Sequence, residues 1–429
     1  MHQTLLLGQT LSFDTNPFEL EIPGDAVQLE PHGAVLIENG HIAATGTADV
    51  LRELHPQATQ IDYGNNLILA GFIDAHAHFS QTAIIASWGK RLIDWLNTYT
   101  FPEESRFADP DYCAMIATRY LDLNLANGIT SACCYTTIHP QSCDALFSEA
   151  QSRDMALIAG KVMMDRNAPD DLRDTVQSSY DDSAALIAKW RGQGRLGYAV
   201  TPRFAPTSTP EQLEAAGALW AENPDCLMQT HLSEQHEEIT WVDALYPQQK
   251  DYFAVYQHYG LAGPGAIMGH SIHLKEREWA ALAETGTGIA HCPTSNTFIG
   301  SGLFRAAHAA SLNIPTGLAT DVGGGSSFSM LRTMAAAYEI SQLSGEILHP
   351  AHLLWLATQG AANTLRLGDK IGNLETGRAA DILVLDLTST AVIEQRAAHA
   401  ESFWEMLFPT IMLGDDRAVA AVYVNGKPT

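Results

Sequence analysis

The chain has 429 residues, 46% of them hydrophobic and 17% charged, which is typical of a globular protein and excludes the disordered and collagen-like classes. It carries 24 Lys and Arg against 49 Asp and Glu, a formal net charge of −25, so nucleic-acid polymers and anionic membranes are unfavourable partners. No apolar run reaches the roughly 18 residues that a membrane-spanning helix needs, so no membrane segment is expected.

The first predicted elements are strands. Residues 1–66 contain alternating runs such as AVLIENGHIAATG, which begins at Ala34, and alternation of apolar and polar residues is typical of a half-buried strand. Within that run, Asn39-Gly40 predicts a tight hairpin turn, because both residues tolerate a positive φ. We therefore expect residues 1–66 to form a small β structure.

Units of one strand followed by one helix come next. Eight short β-rich runs alternate with helical stretches, which indicates parallel βαβ construction. These runs are Leu67–Asp74, Ile129–Tyr135, Met155–Val162, Leu196–Thr201, Leu227–His231, Ala266–His270, Thr287–His291 and Thr316–Thr320. Eight such units are what a closed (β/α)8 barrel requires. The predicted fold class is therefore α/β, with a TIM barrel over residues 67–370.

An insertion follows the first of these strands. Residues 87–107 (SWGKRLIDWLNTYTFPEESRF) are rich in aromatic side chains. In a barrel this segment lies over the C-terminal face, where active sites are found. Trp88, Trp95, Asn97 and Phe101 are candidates to close over a ligand there, although core packing of the segment explains the aromatic residues nearly as well.

The C-terminal segment returns to the β pattern. The runs ADILVLD, from Ala380, and AAVYVNG, from Ala420, both read as strands. Two distant β segments most simply pair with each other, since unpaired strand edges are avoided. We therefore expect residues 1–66 and 371–429 to form one composite β-sandwich domain beside the barrel.

A pair of histidines is the first sign of chemistry. His76 and His78 stand two residues apart at the end of a strand, so their side chains point to the same face. Two imidazoles at the mouth of a barrel suit a transition metal that takes nitrogen ligands. An HxH pair alone could equally be two hydrogen-bonded loop histidines.

Polar residues at the ends of other strands favour the interpretation as a metal site. His231 ends the fifth strand, His270 the sixth and Asp321 the eighth, on the face where barrel enzymes collect their functional groups. Imidazoles and a carboxylate from different strands can together surround one divalent ion. His291 ends the seventh strand and is interpreted as structural.

The motifs around these residues resemble those of the amidohydrolase superfamily: GFIDAHAH, THLSE, GH at the sixth strand and TD at the eighth. They are more closely similar to those of guanine deaminases, with HxHxxQ from His76, DWLNTYTFP from Asp94, VTPRF from Val200, HLSE from His231, CPTSN from Cys292 and TDVGGG from Thr320. The resemblance covers nearly the whole chain. It implies a homodimeric metal-dependent hydrolase that converts guanine to xanthine and ammonia.

The resemblance also implies the metal ligands, which are His76, His78, His231 and Asp321, and the metal, which is Zn²⁺ or alternatively Fe²⁺. Binuclear relatives bridge two ions with a carboxylated lysine at the fourth strand. Here that strand runs into Thr201-Pro202-Arg203-Phe204, without a lysine, so we expect one ion per subunit.

Three residues are predicted to carry the reaction. A metal with an open position yields a nucleophilic hydroxide from water near neutral pH, and a nearby carboxyl group must then move protons. Glu234, three residues after His231, is predicted to do so. Asp321 is expected to accept the water proton besides binding the metal, and His270 to steady the intermediate.

The pocket needs polar groups for a planar purine. Gln81 offers an amide donor and acceptor, Arg203 a guanidinium for the guanine carbonyl, and Phe204 a wall for the ring. A salt bridge within the barrel is the alternative for Arg203, since an unpaired buried arginine is costly. The full predicted substrate-binding set is His78, Phe79, Ser80, Gln81, Trp88, Asn97, Arg203, Phe204, His231, Glu234, His270 and Asp321.

Two alternatives stay open. The same chemistry could act on a related ring, such as 8-oxoguanine, a pterin or a triazine. A barrel without a metal could instead serve as a scaffold, although the ligand set and Glu234 are all present.

The six cysteines form no CxxC pair and the first residues show no signal peptide, so we expect reduced thiols and a cytoplasmic location.

Overall fold

The computed structural model describes residues 3–89 and 91–429. Its strands are β1 (Gln3–Phe13), β2 (Val27–Glu38), β3 (His41–Thr47), β4 (Thr59–Ala70), β5 (Phe72–His78), β6 (Ile129–Tyr135), β7 (Ala156–Gly160), β8 (Val162–Met163), β9 (Leu196–Pro202), β10 (Leu227–Leu232), β11 (Ala266–His270), β12 (Gly288–His291), β13 (Thr316–Leu318), β14 (Ile382–Leu385), β15 (Val419–Val424) and β16 (Lys427–Pro428).

The α-helices are α1 (Ala48–Leu54), α2 (Leu92–Trp95), α3 (Phe101–Ser105), α4 (Pro110–Ala126), α5 (Pro140–Ser152), α6 (Val176–Trp190), α7 (Pro210–Glu222), α8 (His236–Leu245), α9 (Tyr252–His258), α10 (Glu276–Thr285), α11 (Pro293–Phe298), α12 (Ala306–Ser311), α13 (Met330–Ser344), α14 (Pro350–Ala357), α15 (Gln359–Thr364), α16 (Ala391–Ala397) and α17 (Phe403–Leu413). Short 3-10 turns lie at Pro17–Glu19, Pro23–Ala26, Phe79–Ile84, Arg106–Ala108, Asp170–Leu172, Ala205–Thr207 and Asp416–Ala418, and a π-helical turn at Leu96–Thr100. No helix among the described residues is long and apolar enough to span a bilayer.

The two terminal segments pair with each other, as predicted, and their strands form one sheet. Its seven strands run in the order β16-β15-β14-β4-β1-β2-β3; β1 and β4 are parallel and the other neighbours antiparallel. The predicted hairpin turn is confirmed, with φ of 52° at Asn39 and 81° at Gly40. The Asn373 side chain adds a tie between the segments, accepting from Ser12 Oγ at 2.6 Å and donating to Phe13 O at 2.7 Å.

The predicted barrel is also confirmed. Its eight strands pair in the order β13-β12-β11-β10-β9-β7-β6-β5, and the short β8 pairs with β9. The pairs within it are parallel. Backbone hydrogen bonds from His78 N to Val322 O at 2.8 Å and from Asp321 N to His76 O at 2.9 Å join its last strand to its first. The C-terminal strand ends therefore meet in one ring.

The first barrel strand starts later than predicted. The run 67–74 is divided between two sheets, because Leu67–Ala70 pair with β14 while Phe72–His78 pair with β6. Gly71 lies at the break, where a Cβ would stand 2.2 Å from Thr130 Oγ1. Only glycine allows this close approach of the chain to β6.

The aromatic insertion lies over the C-terminal ends of the barrel strands. Trp95, Leu96 and Phe101 pack in one apolar cluster with side chains that follow or end the second to fourth barrel strands, namely Tyr135, Ile138, Val162, Met164, Leu172 and Phe204. This packing places the inward side of α2 and α3 directly above the ring of strand ends.

Candidate metal centre

Four histidines and one aspartate converge at the mouth of the barrel. His76 and His78 come from the end of β5, His231 from β10 and His270 from β11, and Asp321 follows β13. His76 Nε2 lies 3.4 Å and His78 Nε2 3.6 Å from Asp321 Oδ1, while His78 Nε2 lies 3.2 Å from His231 Nε2. The side chains that sequence analysis selected from four distant strand ends are therefore neighbours.

Hydrogen bonds outside this cluster orient two of the imidazoles. His231 Nδ1 lies 2.7 Å from Arg203 O, and His270 Nδ1 lies 2.9 Å from Asn296 Oδ1. Both partners are acceptors, so each Nδ1 carries a proton, and the Nε2 of the neutral His231 ring presents its lone pair to the cluster. Fixing the tautomer in this way is typical of metal-binding histidines.

Burial sets the charge state of the cluster. It lowers the pKa of His76 and lowers the pKa of His78 and His231 well below the usual value. Burial alone would raise the pKa of Asp321, but the neighbouring His76 and His270 outweigh it and lower that pKa. Neutral imidazoles beside an ionised carboxylate are the forms that bind metal ions.

The residues present fit a divalent metal ion. His76 Nε2 is buried and has no hydrogen-bond partner among the described residues, which is a costly state for a polar atom unless something binds it. The ligand atoms of His76, His78 and His231 lie within 4.8 Å of one another, as do those of His76, His270, Asp321 and Cys292. A set of imidazole nitrogens with one carboxylate suits Zn²⁺ and similar transition metals.

Glu234 lies beside this cluster in a network of its own. Its Oε1 accepts from Ser301 Oγ at 2.8 Å and its Oε2 lies 3.5 Å from His270 Nε2. Glu238 holds the backbone of the same turn by accepting from Glu234 N at 2.9 Å. Burial raises the pKa of Glu234 to about 7, against the opposing effect of His270. A carboxyl group with such a pKa can both accept and donate a proton near neutrality.

The backbone is strained at several of these strand ends. Ser233, His270 and Asp321 have φ values of 49°, 65° and 49°, in the left-handed region that residues with a side chain rarely occupy. Such outliers persist only where the surrounding structure enforces them, and they cluster at functional sites. Here they turn the chain so that His270, Glu234 and Asp321 face one another.

A cavity opens beside His76, His78, His231, His270 and Asp321, which we call the metal-type cluster. Its walls combine the cluster, the polar side chains that follow β5 and β9, and apolar residues of the insertion. The lining residues are His78, Gln81, Leu92, Trp95, Leu96, Arg203, Phe204, His231, Glu234, His270, Ile299, Asp321 and Gly324. Eight of the twelve predicted substrate-binding residues are thus brought together around one space.

The other four predicted contacts lie elsewhere. Phe79 packs against Phe107 and Tyr120 in the core, and Ser80 is buried outside the cavity walls. Trp88 is 75% exposed, and the Asn97 amide donates to Ile93 O within its own helical turn. The insertion contributes Trp95, another of its candidate residues, to the cavity, together with Leu92 and Leu96.

Lys161 and His291 have structural surroundings, which for His291 agrees with the interpretation from the sequence. Lys161 is fully buried and its Nζ donates to Asp174 Oδ2 at 2.6 Å. His291 packs against Phe304 with ring centroids 4.6 Å apart, and burial lowers its pKa to about 3. Among residues 3–89 and 91–429, no lysine lines the cavity beside these metal-type residues.

Three supporting residues were not predicted. Glu104 is fully buried behind the cavity, where it accepts hydrogen bonds from Gln81 Nε2 at 2.9 Å and Arg203 Nη1 at 2.6 Å. Asp74 accepts from Thr320 N at 2.9 Å, which ties the strand of His76 to the loop of Asp321. Asn296 orients His270. Of these, Asp74 lies in the motif GFIDAHAH and Asn296 ends the motif CPTSN, whereas Glu104 lies in none of the motifs of the resemblance.

Comparison with known proteins agrees with this geometry. Residues 67–429 match the Amidohydrolase family, and residues 33–58 match the imidazolonepropionase-like composite domain of bacteria. The chain is 43% identical to a guanine deaminase of Escherichia coli over 96% of this chain and 93% of that protein. It is 37% identical to a probable guanine deaminase of Deinococcus radiodurans over 94% and 93% of the two chains.

Solved structures show the same likeness. An E. coli guanine deaminase superposes with a TM-score of 0.97 at 41% identity, covering 99% of both chains. A guanine deaminase from C. acetobutylicum, with guanine bound in its active site, superposes with a TM-score of 0.90 at 29% identity over 100% of both chains. The family match covers most of the chain, barrel and C-terminal strands included, and this chain belongs to the amidohydrolase family.

Proposed function

We propose that this chain is a guanine deaminase, in which water replaces the 2-amino group of guanine to give xanthine and ammonia. The observation that carries the proposal is the cavity itself, which joins the metal-type cluster and Glu234 to the polar pair Gln81 and Arg203. The names of the relatives at 43% and 37% identity support the same substrate.

The proposed cofactor is one Zn²⁺ per subunit, held by His76, His78, His231 and Asp321, with Fe²⁺ as the alternative. When bound, such an ion lowers the pKa of a coordinated water and so supplies the nucleophile. The proposal includes a cytoplasmic homodimer that acts on a free base and binds neither nucleic-acid polymers nor membranes.

Glu234 has the proton-transfer role in this proposal. It takes a proton from the attacking water and gives it to a ring nitrogen, so that the carbon bearing the amine becomes tetrahedral and its amine can leave as ammonia. A pKa of about 7 suits both steps, since the best acid-base catalysts have pKa values near the working pH.

His270 and Asp321 assist at the same carbon. His270 Nε2 faces Glu234 Oε2 at 3.5 Å and Asp321 Oδ2 at 3.7 Å, so it can hydrogen-bond the oxygen that adds to the ring. The Glu234 and Asp321 carboxylates raise the pKa of His270, although burial opposes them. Asp321 can receive the second proton of the water and pass it to the departing amine, which then leaves as ammonia.

The opposite wall holds the base. Phe204 offers an apolar surface for the ring, and Arg203 and Gln81 offer hydrogen bonds to its edge. Trp95, Leu92 and Leu96 exclude water from the same space, which strengthens polar interactions inside it.

Ammonia release from a panel of free bases tests the proposal. The zinc-loaded protein is incubated with guanine, 8-oxoguanine, isoxanthopterin, adenine and cytosine, with a chelator-treated sample as the control. We expect fast release from guanine that depends on the metal. Ammonia release from another ring and none from guanine would move the substrate assignment to that ring. No ammonia release from any base would favour a non-catalytic scaffold.

The metal and the oligomeric state have separate tests. Elemental analysis of the purified protein should give about one zinc per chain, whereas iron in its place would select the alternative ion. Sedimentation at micromolar concentration should give twice the 46.5 kDa chain mass, and a monomer would overturn the dimer.

A further inference from the structure

Glu104 lies behind the cavity wall formed by Gln81 and Arg203, and the proposed reaction gives it no role. It lies on α3, is fully buried and is absent from the cavity lining. Both of its carboxylate oxygens are engaged: Oε1 accepts from Gln81 Nε2 at 2.9 Å and Oε2 accepts from Arg203 Nη1 at 2.6 Å. The two side chains it holds do line the cavity.

This arrangement fixes which way the Gln81 amide is turned. A carboxylate only accepts hydrogen bonds, so it attracts the NH2 end of the amide and repels the carbonyl end. The Gln81 carbonyl oxygen therefore lies on the branch of the amide that is turned away from Glu104. For a ligand in the cavity, that oxygen is a hydrogen-bond acceptor.

The same carboxylate fixes the guanidinium of Arg203. Their charges cancel, which removes the large cost of burying either one alone. A guanidinium has five N–H donors, and the bond to Glu104 uses one at Nη1, so further donors remain for the cavity. The wall thus presents an acceptor from Gln81 and donors from Arg203.

We propose that Glu104 is a positioning residue for substrate specificity, which orients Gln81 and Arg203 into a pattern complementary to a lactam edge, –NH–C(=O)–. This inference rests on the proposed guanine deamination and deepens it. Guanine carries that edge at N1–H and O6, next to the carbon that bears its amino group. Adenine has an acceptor at N1 and a donor at its amino nitrogen, and so presents the reverse pattern.

The substitution Glu104→Gln tests the proposal through its effect on two substrates. The new amide turns its oxygen to Arg203 and its NH2 to Gln81, so Gln81 must flip and present N–H to the cavity. We compare kcat/KM for guanine with that for 2-aminopurine, which keeps the 2-amino group but has no O6 and an acceptor at N1. We expect the preference for guanine over 2-aminopurine to fall by about 10- to 100-fold, as for a lost hydrogen bond to a charged group.

Glu103→Gln is the matched control. Glu103 is the preceding residue and is also buried, but it bonds Tyr112 and Arg106 away from the cavity. Its substitution should leave the ratio between the two substrates unchanged. Calorimetric binding of xanthine, which keeps the lactam edge, should weaken in Glu104→Gln and stay the same in Glu103→Gln.

Glu104→Asp covers the case in which loss of the charge prevents folding. It keeps the carboxylate and therefore the orientation of Gln81, so the preference for guanine should persist even where overall activity falls. An equal loss on both substrates in Glu104→Gln, or a lost preference in Glu104→Asp, would overturn the positioning role. A wild-type protein inactive on guanine would instead refute the proposed function itself.

Discussion

Four polar side chains of the site have a partner that holds them in one orientation. His231 is fixed by a backbone carbonyl, His270 by Asn296, Glu234 by Ser301, and Gln81 by Glu104. Orientation before the substrate arrives is valuable because groups that need not rearrange lower the barrier most. Single substitutions at these positions should therefore separate binding from turnover.

Replacing Glu234 with Gln should remove turnover and leave binding. The amide has nearly the same shape and can still bond Ser301, but it cannot accept the proton of water, so kcat should fall by at least about 10²-fold. Stopped-flow turnover of guanine, with zinc content and xanthine affinity measured on the same sample, checks this. A variant that keeps half of the wild-type kcat would exclude Glu234 from proton transfer.

Replacing His231 with Ala should remove the metal. The substitution deletes one nitrogen of the cluster and also the tie to Arg203 O, and loss of a ligand weakens a metal site severely. Elemental analysis after dialysis should show much less zinc than in the wild type. His258→Ala is the control, because this histidine is exposed on α9; a full zinc content in both variants would refute the ligand set.

The metal-type residues were predictable and Glu104 was not, for a physical reason. Parallel strands bring their C-terminal ends together, so polar residues that close apolar runs must meet wherever those runs form a barrel. Glu104 lies on a helix of the insertion, beside Glu103 in the run TFPEE. No periodicity in five residues shows which of two adjacent glutamates faces inward.

At the scale of elements, α14 is tied to the N-terminal turn through one histidine. His352 stacks on Phe18 with ring centroids 4.1 Å apart, and its Nε2 lies 3.2 Å from Pro17 O. Its Nδ1 accepts from His349 N at 3.0 Å. Both ring nitrogens are thus engaged in the neutral form, and protonation would place a donor against another donor.

This contact predicts a pH dependence of stability. Burial lowers the pKa of His352 from 6.5 to about 4, so between those values the unfolded chain binds a proton that the folded chain does not. The stability contributed is complete above pH 6.5 and is lost as the pH falls toward 4. Urea midpoints of wild type and His352→Gln, measured from pH 7 to pH 4, should show a smaller decline in the variant. Parallel declines would mean that His352 takes up its proton equally in both states.

The boundary between the terminal sheet and the barrel could not be predicted from the hydrophobic pattern of the sequence. The run LILAGFID is apolar on both sides of Gly71, because β4 and β5 are both buried there. β4 pairs with β14 in the terminal sheet, and β5 pairs with β6 in the barrel. An uninterrupted hydrophobic run carries no sign of a change of partner. The strand was therefore predictable, but the break at Gly71 was not.

At the scale of the whole molecule, Asp381 joins the terminal sheet to the barrel. Its carboxylate pairs with Arg195, which precedes β9, and accepts from Asn425 N at 2.8 Å, while its carbonyl accepts from Gly71 N at 2.9 Å. We propose on this basis that the composite domain, 1–66 with 371–429, and the barrel, 67–370, unfold as one unit.

Asp381→Asn should destabilise both parts together. It leaves the largely buried Arg195 without its carboxylate, which typically costs about 3 kcal/mol. Urea unfolding followed by tryptophan fluorescence and by far-UV circular dichroism should shift to lower midpoints, with the two signals coincident. Glu339→Gln, which breaks an exposed pair with Arg332, should cost less than about 1 kcal/mol. Two separate transitions would show that the sheet and the barrel unfold independently.

The seven-stranded sheet also governs how the chain reaches its native state. Asn373 bonds to Ser12 across 361 positions, and β4 obtains its partner β14 only after the whole barrel sequence has been made. Contacts this distant in sequence close slowly, because the chain must give up the entropy of a very large loop. Until then, the apolar edge of residues 67–70 has no neighbour on that side, and such an edge recruits other chains. Refolding yield should therefore fall as protein concentration rises. A separate peptide of residues 371–429, added at the start of refolding, should protect the chain from aggregation.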